Sequence, residues 1–321
     1  MLAAYANAID ANDPVSGLVV ADRPEPEPRE GWTTVTVKAA TLNHHDLWTL
    51  RGVGIRADQL PMILGGDAAG IDEEGNDVVV HGVVTSPGWV GDDTLDPKRS
   101  LLSEVYDGTL AEKILVPRRN LVAKPASLSF EEAACLPTAW LTAYRMLFTK
   151  LRLAPGATVL VQGAGGGVAT AAISLGKAAG LRVWVVGRSA AKREAALVLG
   201  ADQVFESGAR LPERVDAVID NVGEATWAHS LKSLKPGGAI VTCGATSGPN
   251  PPADLNRLFF LQLRVLGSTM GTRGELEQLL SLLDTTGLRP QIDSVLSLAD
   301  AALGLKKLDS GDVQGKIVII P

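Results

Sequence analysis

The sequence predicts an α/β protein in which a doubly wound parallel sheet follows a β-rich, barrel-like segment. Three observations predict it. Residues 158–162 (TVLVQ) are apolar and β-branched, as a strand of a buried parallel sheet should be, and four glycines follow, Gly163, Gly165, Gly166 and Gly167. Through the middle of the chain strand-like runs alternate with helix-like ones, the pattern of a parallel sheet covered on both faces. Before residue 120, short alternating runs are punctuated by Gly, Pro and Asp, which predicts a small barrel-like β domain.

Taken in order, residues 1–40 read as β structure. Leu18-Val19-Val20 precedes a polar link with Pro24, Pro26 and Pro28, and 32–38 (WTTVTVK) alternates apolar and polar with the period of a half-buried strand. Residues 77–84 (DVVVHGVV) and 108–117 (GTLAEKILVP) read as strands, and 85–104 as an irregular surface loop. Ser129 can cap a helix that has Glu131 and Glu132 in its first turn, and 137–151 continues helical. After 158–162 come a helix over 168–180 and a strand over 181–186. A strand over 216–221, a helix over 226–234 ended by Lys235-Pro236-Gly237-Gly238, and strands over 239–243 and 264–268 follow. Residues 274–285 form an amphipathic helix with Leu276, Leu279, Leu280 and Leu283 on one face. A helix over 298–308 and a closing strand, GKIVII, end the chain.

Strand, glycine turn, helix and strand within about thirty residues is a dinucleotide-binding unit. A pyrophosphate must approach backbone N–H groups at a helix N-terminus, and side chains there would push it away. Gly165, Gly166, Gly167 and Val168 are therefore the candidate phosphate contacts, with Ala169 where the fingerprint often has its last glycine. At the end of the second strand an NAD site usually carries an acid. Here Gly187-Arg188-Ser189 is followed by Lys192 and Arg193, which suits a 2′-phosphate and predicts NADPH, bound through Arg188, Ser189 and Lys192.

Composition narrows the partners. The 321 residues are 46% hydrophobic with a net charge of −6, which offers no basic face to nucleic acid or anionic membrane. No apolar run approaches the ~20 residues of a membrane span, and residues 1–10 lack the basic start of a signal peptide. Two cysteines, Cys135 and Cys243, are too few for a disulfide framework or a cysteine zinc site, and a reducing, cytoplasmic setting fits.

The motifs TLNHHDLWTLRG, LGGDAAG, PTAWLTAYRML, GAGGGVATAAISLGKAAG and LKPGGAIVTCGATSG, in this order, resemble the medium-chain dehydrogenase/reductase superfamily over essentially the whole chain. The resemblance implies a GroES-like domain over 1–120, a Rossmann domain over 121–269 and a return segment over 270–321 that completes the first domain. It also implies an active site in the cleft between the domains. Many members hold a catalytic zinc. Motif by motif, the first ligand Cys falls on Asn43, the His on Gly66 with Asp67 in the Glu position, and the second Cys on Thr138. An amide, a glycine and a hydroxyl cannot make a tight zinc site, and the 85–104 loop lacks the four cysteines of the structural-zinc lobe.

The resemblance therefore points to a zinc-free member, similar to quinone oxidoreductases and alkenal/enone reductases. Such an enzyme transfers hydride from NADPH to a quinone or an α,β-unsaturated carbonyl. Asn43, His45 and Thr138 are the polar catalytic candidates: Asn43 as an amide donor or a tie for its own loop, His45 as a proton donor or relay. Asp46 is expected to anchor the loop, and Asp67 to pair with a cation or hold the cleft. Trp48 and Trp140 are read as core or pocket lining. Thr142 and Tyr144, and Gly244 and Ala245 after the fourth strand, are candidates for contact with the cofactor. The resemblance also implies a homodimer paired through a sheet edge, with 261–269 as the candidate edge. Two other readings stay open: a zinc-type alcohol dehydrogenase relative, and an NADPH-binding protein with a sensing role and no fast chemistry.

Overall fold

The computed structural model describes residues 1–321 and divides into two compact units: Met1–Leu141 with Gly271–Pro321, and Thr142–Met270. The first break thus falls about twenty residues beyond the expected one at 120/121. The reason is pairing: Leu121–Ala123 adds antiparallel to Asp77–Val80, and the helix Phe130–Ala134 packs on the strands Trp32–Thr41 and Ala68–Asp72. Ser129 caps that helix, its hydroxyl accepting from the Glu132 N–H.

In the first unit the ten-residue strand Trp32–Thr41 is the organiser. It pairs antiparallel with Ala68–Asp72, Lys113–Pro117 and Lys316–Ile320. Its alternation turns Val35 and Val37 into a core shared with Leu47, Leu50, Leu102 and Ile319. Lys316–Ile320 lies between Trp32–Thr41 and Ile292–Ser297, so the last strand of the chain is an interior one. The return helix spans Arg273–Thr286, buries the four predicted leucines, is capped by Thr272 and stops at Gly287 with φ 72°. The stretch read as a helix over 298–308 is a 3₁₀ turn, Leu298–Asp300, followed by an α-helix, Ala301–Ser310.

Several strand expectations are corrected. Residues 77–84 form two strands, Asp77–Val80 and Val83–Val84, because the Asn120 side chain donates to the carbonyls of His81 and Val83 and takes the place of a ladder there. Only Lys113–Pro117 of the 108–117 stretch is a strand; Gly108 and Leu110 instead donate backbone bonds to Ile63 and Leu64. The 85–104 loop holds a 3₁₀ turn, Asp93–Leu95, and a short strand, Ser100–Leu101, paired with Val83–Val84.

The second unit is a six-stranded, all-parallel sheet. Its spatial order is Gln203–Phe205, Arg182–Val186, Thr158–Gln162, Val215–Ile219, Leu234–Thr242, Arg264–Gly267. Numbered by sequence this is 3-2-1-4-5-6, with its switch point between Thr158–Gln162 and Val215–Ile219. The fifth strand begins at Leu234, directly after the helix Glu224–Ser233, so the Lys-Pro-Gly-Gly stretch is an irregular start of the strand, not a stop before it. No helix is long and apolar enough to cross a membrane.

Candidate functional site

The glycine turn lies at the switch point of the Rossmann unit. Gly163 takes φ 94°, which a side chain would strain, and turns the chain off the first strand. Gly166 is the N-cap of the twelve-residue helix Gly167–Ala178, which carries Val168 in its first turn. A Cβ placed on Gly166 would meet nothing within 4 Å. The bare position is therefore not demanded by packing within the chain, whereas Gly187 is: a Cβ there would lie 2.8 Å from that of Ala164. Open space at Gly166 in front of a helix N-terminus is the chemistry that suits a pyrophosphate.

At the end of the second strand Arg188 and Ser189 are exposed. The Ser189 hydroxyl accepts from the Lys192 N–H at 3.4 Å and so begins the helix Ala190–Val198. Arg193, read with the other cations, folds back instead. Its guanidinium donates to the Gly187 and Arg188 carbonyls at 2.8 and 3.0 Å and to Glu206 at 3.1 Å. It thus braces the turn that presents Arg188. Gly244 and Ala245 lie just beyond the strand Leu234–Thr242, and the Thr242 hydroxyl donates to the Gly244 carbonyl. Thr142 is buried in this unit.

Asp220, which the sequence reading passed over, lies fully buried directly after the fourth strand, Val215–Ile219. It accepts from the N–H groups of Val222 and Gly223 and the hydroxyls of Thr226 and Ser230. That set compensates the buried charge and fixes the loop after the strand. Burial pushes the thiol of Cys243 up to about 12, and that of Cys135 likewise, which disfavours the thiolate at both.

The first unit holds a second polar constellation, built on a buried carboxylate. Asp67 accepts at Oδ2 from the Thr41 hydroxyl (2.7 Å), the Asn43 amide (2.8 Å) and the Lys316 ammonium (3.2 Å). Lys316 also donates to Asn43 Oδ1 at 2.6 Å and to the Leu42 carbonyl at 2.8 Å, which uses all three of its hydrogens. Both charged side chains are out of solvent, at 3% and 0% exposure. The partner for Asp67 is thus a lysine from the closing strand, which no local pattern pointed to. Asp46 anchors the loop as expected, accepting from the N–H groups of Asn43 and Gly65, and burial raises its pKa. Thr138 is near: its hydroxyl would lie 3.6 Å from a Cβ on Gly66. Trp140 is core, at 1% exposure.

His45 points elsewhere in the same unit. Its Nε2 is 3.1 Å from Glu104 Oε1, and its Nδ1 is 3.4 Å from the Ser103 hydroxyl. Burial disfavours the charged ring, but the Glu104 hydrogen bond and the charges of Asp46, Glu104 and Asp67 outweigh it and raise its pKa. The sequence reading missed Glu104 and Ser103, which lie in the loop read only as irregular.

This donor set does not fit zinc. Asn43, Gly66 and Thr138 provide no thiolate or imidazole, and Oδ2 of the neighbouring carboxylate, Asp67, is already taken by the Thr41 hydroxyl, the Asn43 amide and the Lys316 ammonium, while its Oδ1 is buried without a hydrogen-bond partner.

Two family models match the chain: an alcohol dehydrogenase GroES-like domain over residues 29–126, and a zinc-binding dehydrogenase domain over residues 167–285. The acryloyl-coenzyme A reductase of Metallosphaera sedula is 33% identical over 289 residues, 83% of this chain and 85% of that protein. A crystal structure of an NAD-dependent alcohol dehydrogenase is 34% identical with a TM-score of 0.92, covering 100% of both chains. The 2-octenoyl-CoA carboxylase reductase CinF, in complex with NADP and 2-octenoyl-CoA, is 25% identical with a TM-score of 0.91, covering 99% of this chain and 87% of that one. With three other curated relatives the match spans 53–67% of their length. From the two domain types and the relatives matched over most of their length, the chain belongs to the medium-chain dehydrogenase/reductase superfamily of oxidoreductases.

Proposed function

We propose that this chain is an NADPH-dependent, zinc-independent reductase of carbon–carbon double bonds conjugated to a carbonyl, with short enoyl thioesters the first substrates to test and quinones the second. The observation that carries the reading is the Asn43–Asp67–Lys316 cluster. Where zinc relatives hold a Lewis acid, this chain holds an amide and a fully paired ammonium. Reduction of an unactivated carbonyl needs strong polarisation of its oxygen, and hydride addition to an electron-poor alkene needs less. The names of the acryloyl-CoA and 2-octenoyl-CoA enzymes favour the thioester over the quinone.

Gly165, Gly166, Gly167 and Val168 hold the pyrophosphate, Arg188, Ser189 and Lys192 the 2′-phosphate, and Thr142, Gly244 and Ala245 the nicotinamide end. Bound NADPH supplies the hydride. Asn43 has one amide hydrogen on Asp67 and a second left to donate to the substrate oxygen as negative charge develops there. Thr138 can donate to the same oxygen, and His45 returns a proton to the substrate carbon. The enzyme is cytoplasmic and works as a homodimer on this reading, with the exposed strand Arg264–Gly267 as the edge that pairs.

The test follows the loss of reduced-nicotinamide absorbance with acryloyl-CoA, crotonyl-CoA, a quinone and simple aldehydes, each with NADPH and with NADH, before and after dialysis against a chelator. Turnover of the enoyl thioesters with NADPH, insensitive to the chelator, is expected. Chelator-sensitive aldehyde reduction would restore the zinc alcohol dehydrogenase reading, and NADPH binding without turnover of any substrate would favour the sensing one.

A further inference from the structure

We propose that Glu104 is a positioning residue for His45: its carboxylate fixes the Nε2–H side of the ring and so makes Nδ1 the nitrogen that delivers the proton. The inference rests on the reading of His45 as proton donor.

The geometry carries it in three steps. An ionised carboxylate only accepts, so the 3.1 Å contact between Glu104 Oε1 and His45 Nε2 requires a hydrogen on Nε2. That hydrogen cannot be the one released without leaving a neutral ring facing a carboxylate with no donor. Nδ1 is then the other ring donor, and its resting partner is the Ser103 hydroxyl at 3.4 Å, a long contact that costs little to give up.

Glu104 is itself held in place. Its second carboxylate oxygen accepts from the Leu101 N–H at 3.0 Å, and its carbonyl accepts from the Gln59 side chain at 2.7 Å. Gln59 in turn accepts from the Arg56 N–H, which ties a second loop to the pair. Ser103 is fully buried with φ 67°, a left-handed conformation that a serine adopts only where its surroundings hold it. A Tyr106 carbonyl on its N–H and a Gly82 carbonyl on that of Leu102 do so. Both members of the His45–Glu104 pair keep 26% side-chain exposure, so the pair is anchored without being sealed from solvent.

The charges around the ring agree in sign. Asp46 on its own helix, Asp67 ahead of the neighbouring strand and Glu104 on the loop all favour the imidazolium. Arg99 acts on Glu104, and Lys316 on Asp46 and His44.

In the step so served, the hydride has already reached the alkene carbon remote from the carbonyl, and the substrate is an enolate. The Nδ1–H bond breaks and its electron pair stays on Nδ1. The enolate's pair forms the new C–H bond at the carbon next to the carbonyl. The ring ends neutral with its Nε2–H still on Glu104, and a solvent proton restores the imidazolium.

The experiment is nitrogen–proton NMR of the imidazoles across pH, beside kcat and KM on the same samples. The chain has four histidines, and the signal lost in His45→Asn assigns the ring. The wild-type ring is expected to titrate above the ordinary histidine range and to deprotonate to the Nε2–H tautomer. Glu104→Gln should lower that titration and mix the tautomers. It should also cut kcat about tenfold on the alkaline side with KM within about twofold, since the donor is then deprotonated. Should Glu104→Gln fold poorly, Glu104→Asp, which shortens the reach to Nε2, should move the same readouts the same way. A ring whose titration and tautomer are the same in these variants as in wild type overturns the positioning role. A ring that behaves as described while His45→Asn turns over at the wild-type rate overturns the donor reading on which it rests, and with it the delivery from Nδ1.

Discussion

Lys316 has a buried side chain, at 3% exposure, that its sequence context disguises. It is the second residue of GKIVII, a run that reads as a closing strand, and nothing nearby marks its ammonium as buried. Its partners Asn43 and Asp67 are 273 and 249 residues away, so the contact exists only after the last strand inserts beside Trp32–Thr41. A buried pair is not a large net stabiliser, but breaking it leaves an uncompensated charge. Lys316→Met should therefore cost about 3–5 kcal/mol in denaturant unfolding, and Lys316→Met with Asp67→Asn distinctly less. A double variant no more stable than the single one would mean that Asp67 is not charged against Lys316. Asp46 shows the opposite case: its partners Asn43 and Gly65 belong to motif stretches next to it, and its anchoring role was legible. The His45–Glu104 pair adds a pH dependence. His45 is raised, so its contribution is complete below the ordinary histidine pKa and is lost as pH rises through the raised one. Glu104 is lowered, burial opposing and the His45 bond prevailing, so its contribution is lost as pH falls through the lowered value. The Tm difference between wild type and Glu104→Gln should thus be greatest between those limits and shrink on either side.

Among the elements, legibility followed the range of the interactions. The glycine turn, its two strands and the helix between them close over some thirty residues, and the pattern of glycines and β-branched runs specified them directly. The two halves of 77–84 did not announce their break, because the side chain that replaces the ladder is Asn120, some forty residues on. The helix His44–Leu50 was left unassigned at the sequence level for a related reason: its apolar face, Leu47 and Leu50, is only two residues long, and packing in the first-unit core rather than periodicity makes it a helix. The glycine turn also gives the sharpest element-level test. Because a Cβ on Gly166 meets nothing in the chain, and its φ of −73° suits any residue, Gly166→Ala should change stability by less than about 1 kcal/mol. The same methyl would stand where the phosphates approach the N–H groups, so NADPH affinity, read by fluorescence titration, should fall about tenfold or more. Equal affinity in the variant would move the pyrophosphate away from this turn.

For the whole molecule, what remained illegible was the boundary between its units and what the surface is for. A parallel sheet has two edges, and here they differ. The strand Gln203–Phe205 is half covered, whereas Arg264–Gly267 is exposed over most of its length. In the helix Leu255–Phe260, just before it in the chain, Phe259, Phe260 and Leu255 are 69%, 79% and 67% exposed, with Val265 in the strand at 47%. Unpaired strand groups next to exposed aromatics invite another chain, and natural proteins normally blunt such edges with charge, proline or a covering element. Isologous pairing about a two-fold axis would use the same edge on both copies and continue the sheet from one into the other. The homodimer reading therefore makes a specific demand. Light scattering should give twice the chain mass for the wild type. Phe260→Asp with Val265→Lys, which put opposed desolvation costs on that surface, should give the single mass with an unaltered far-UV spectrum. Because these residues belong to the Rossmann unit alone and lie outside the glycine turn, NADPH titration of the monomer separates loss of assembly from loss of fold. A wild type that is monomeric at micromolar concentration, or a variant that stays dimeric, would remove this edge as the interface.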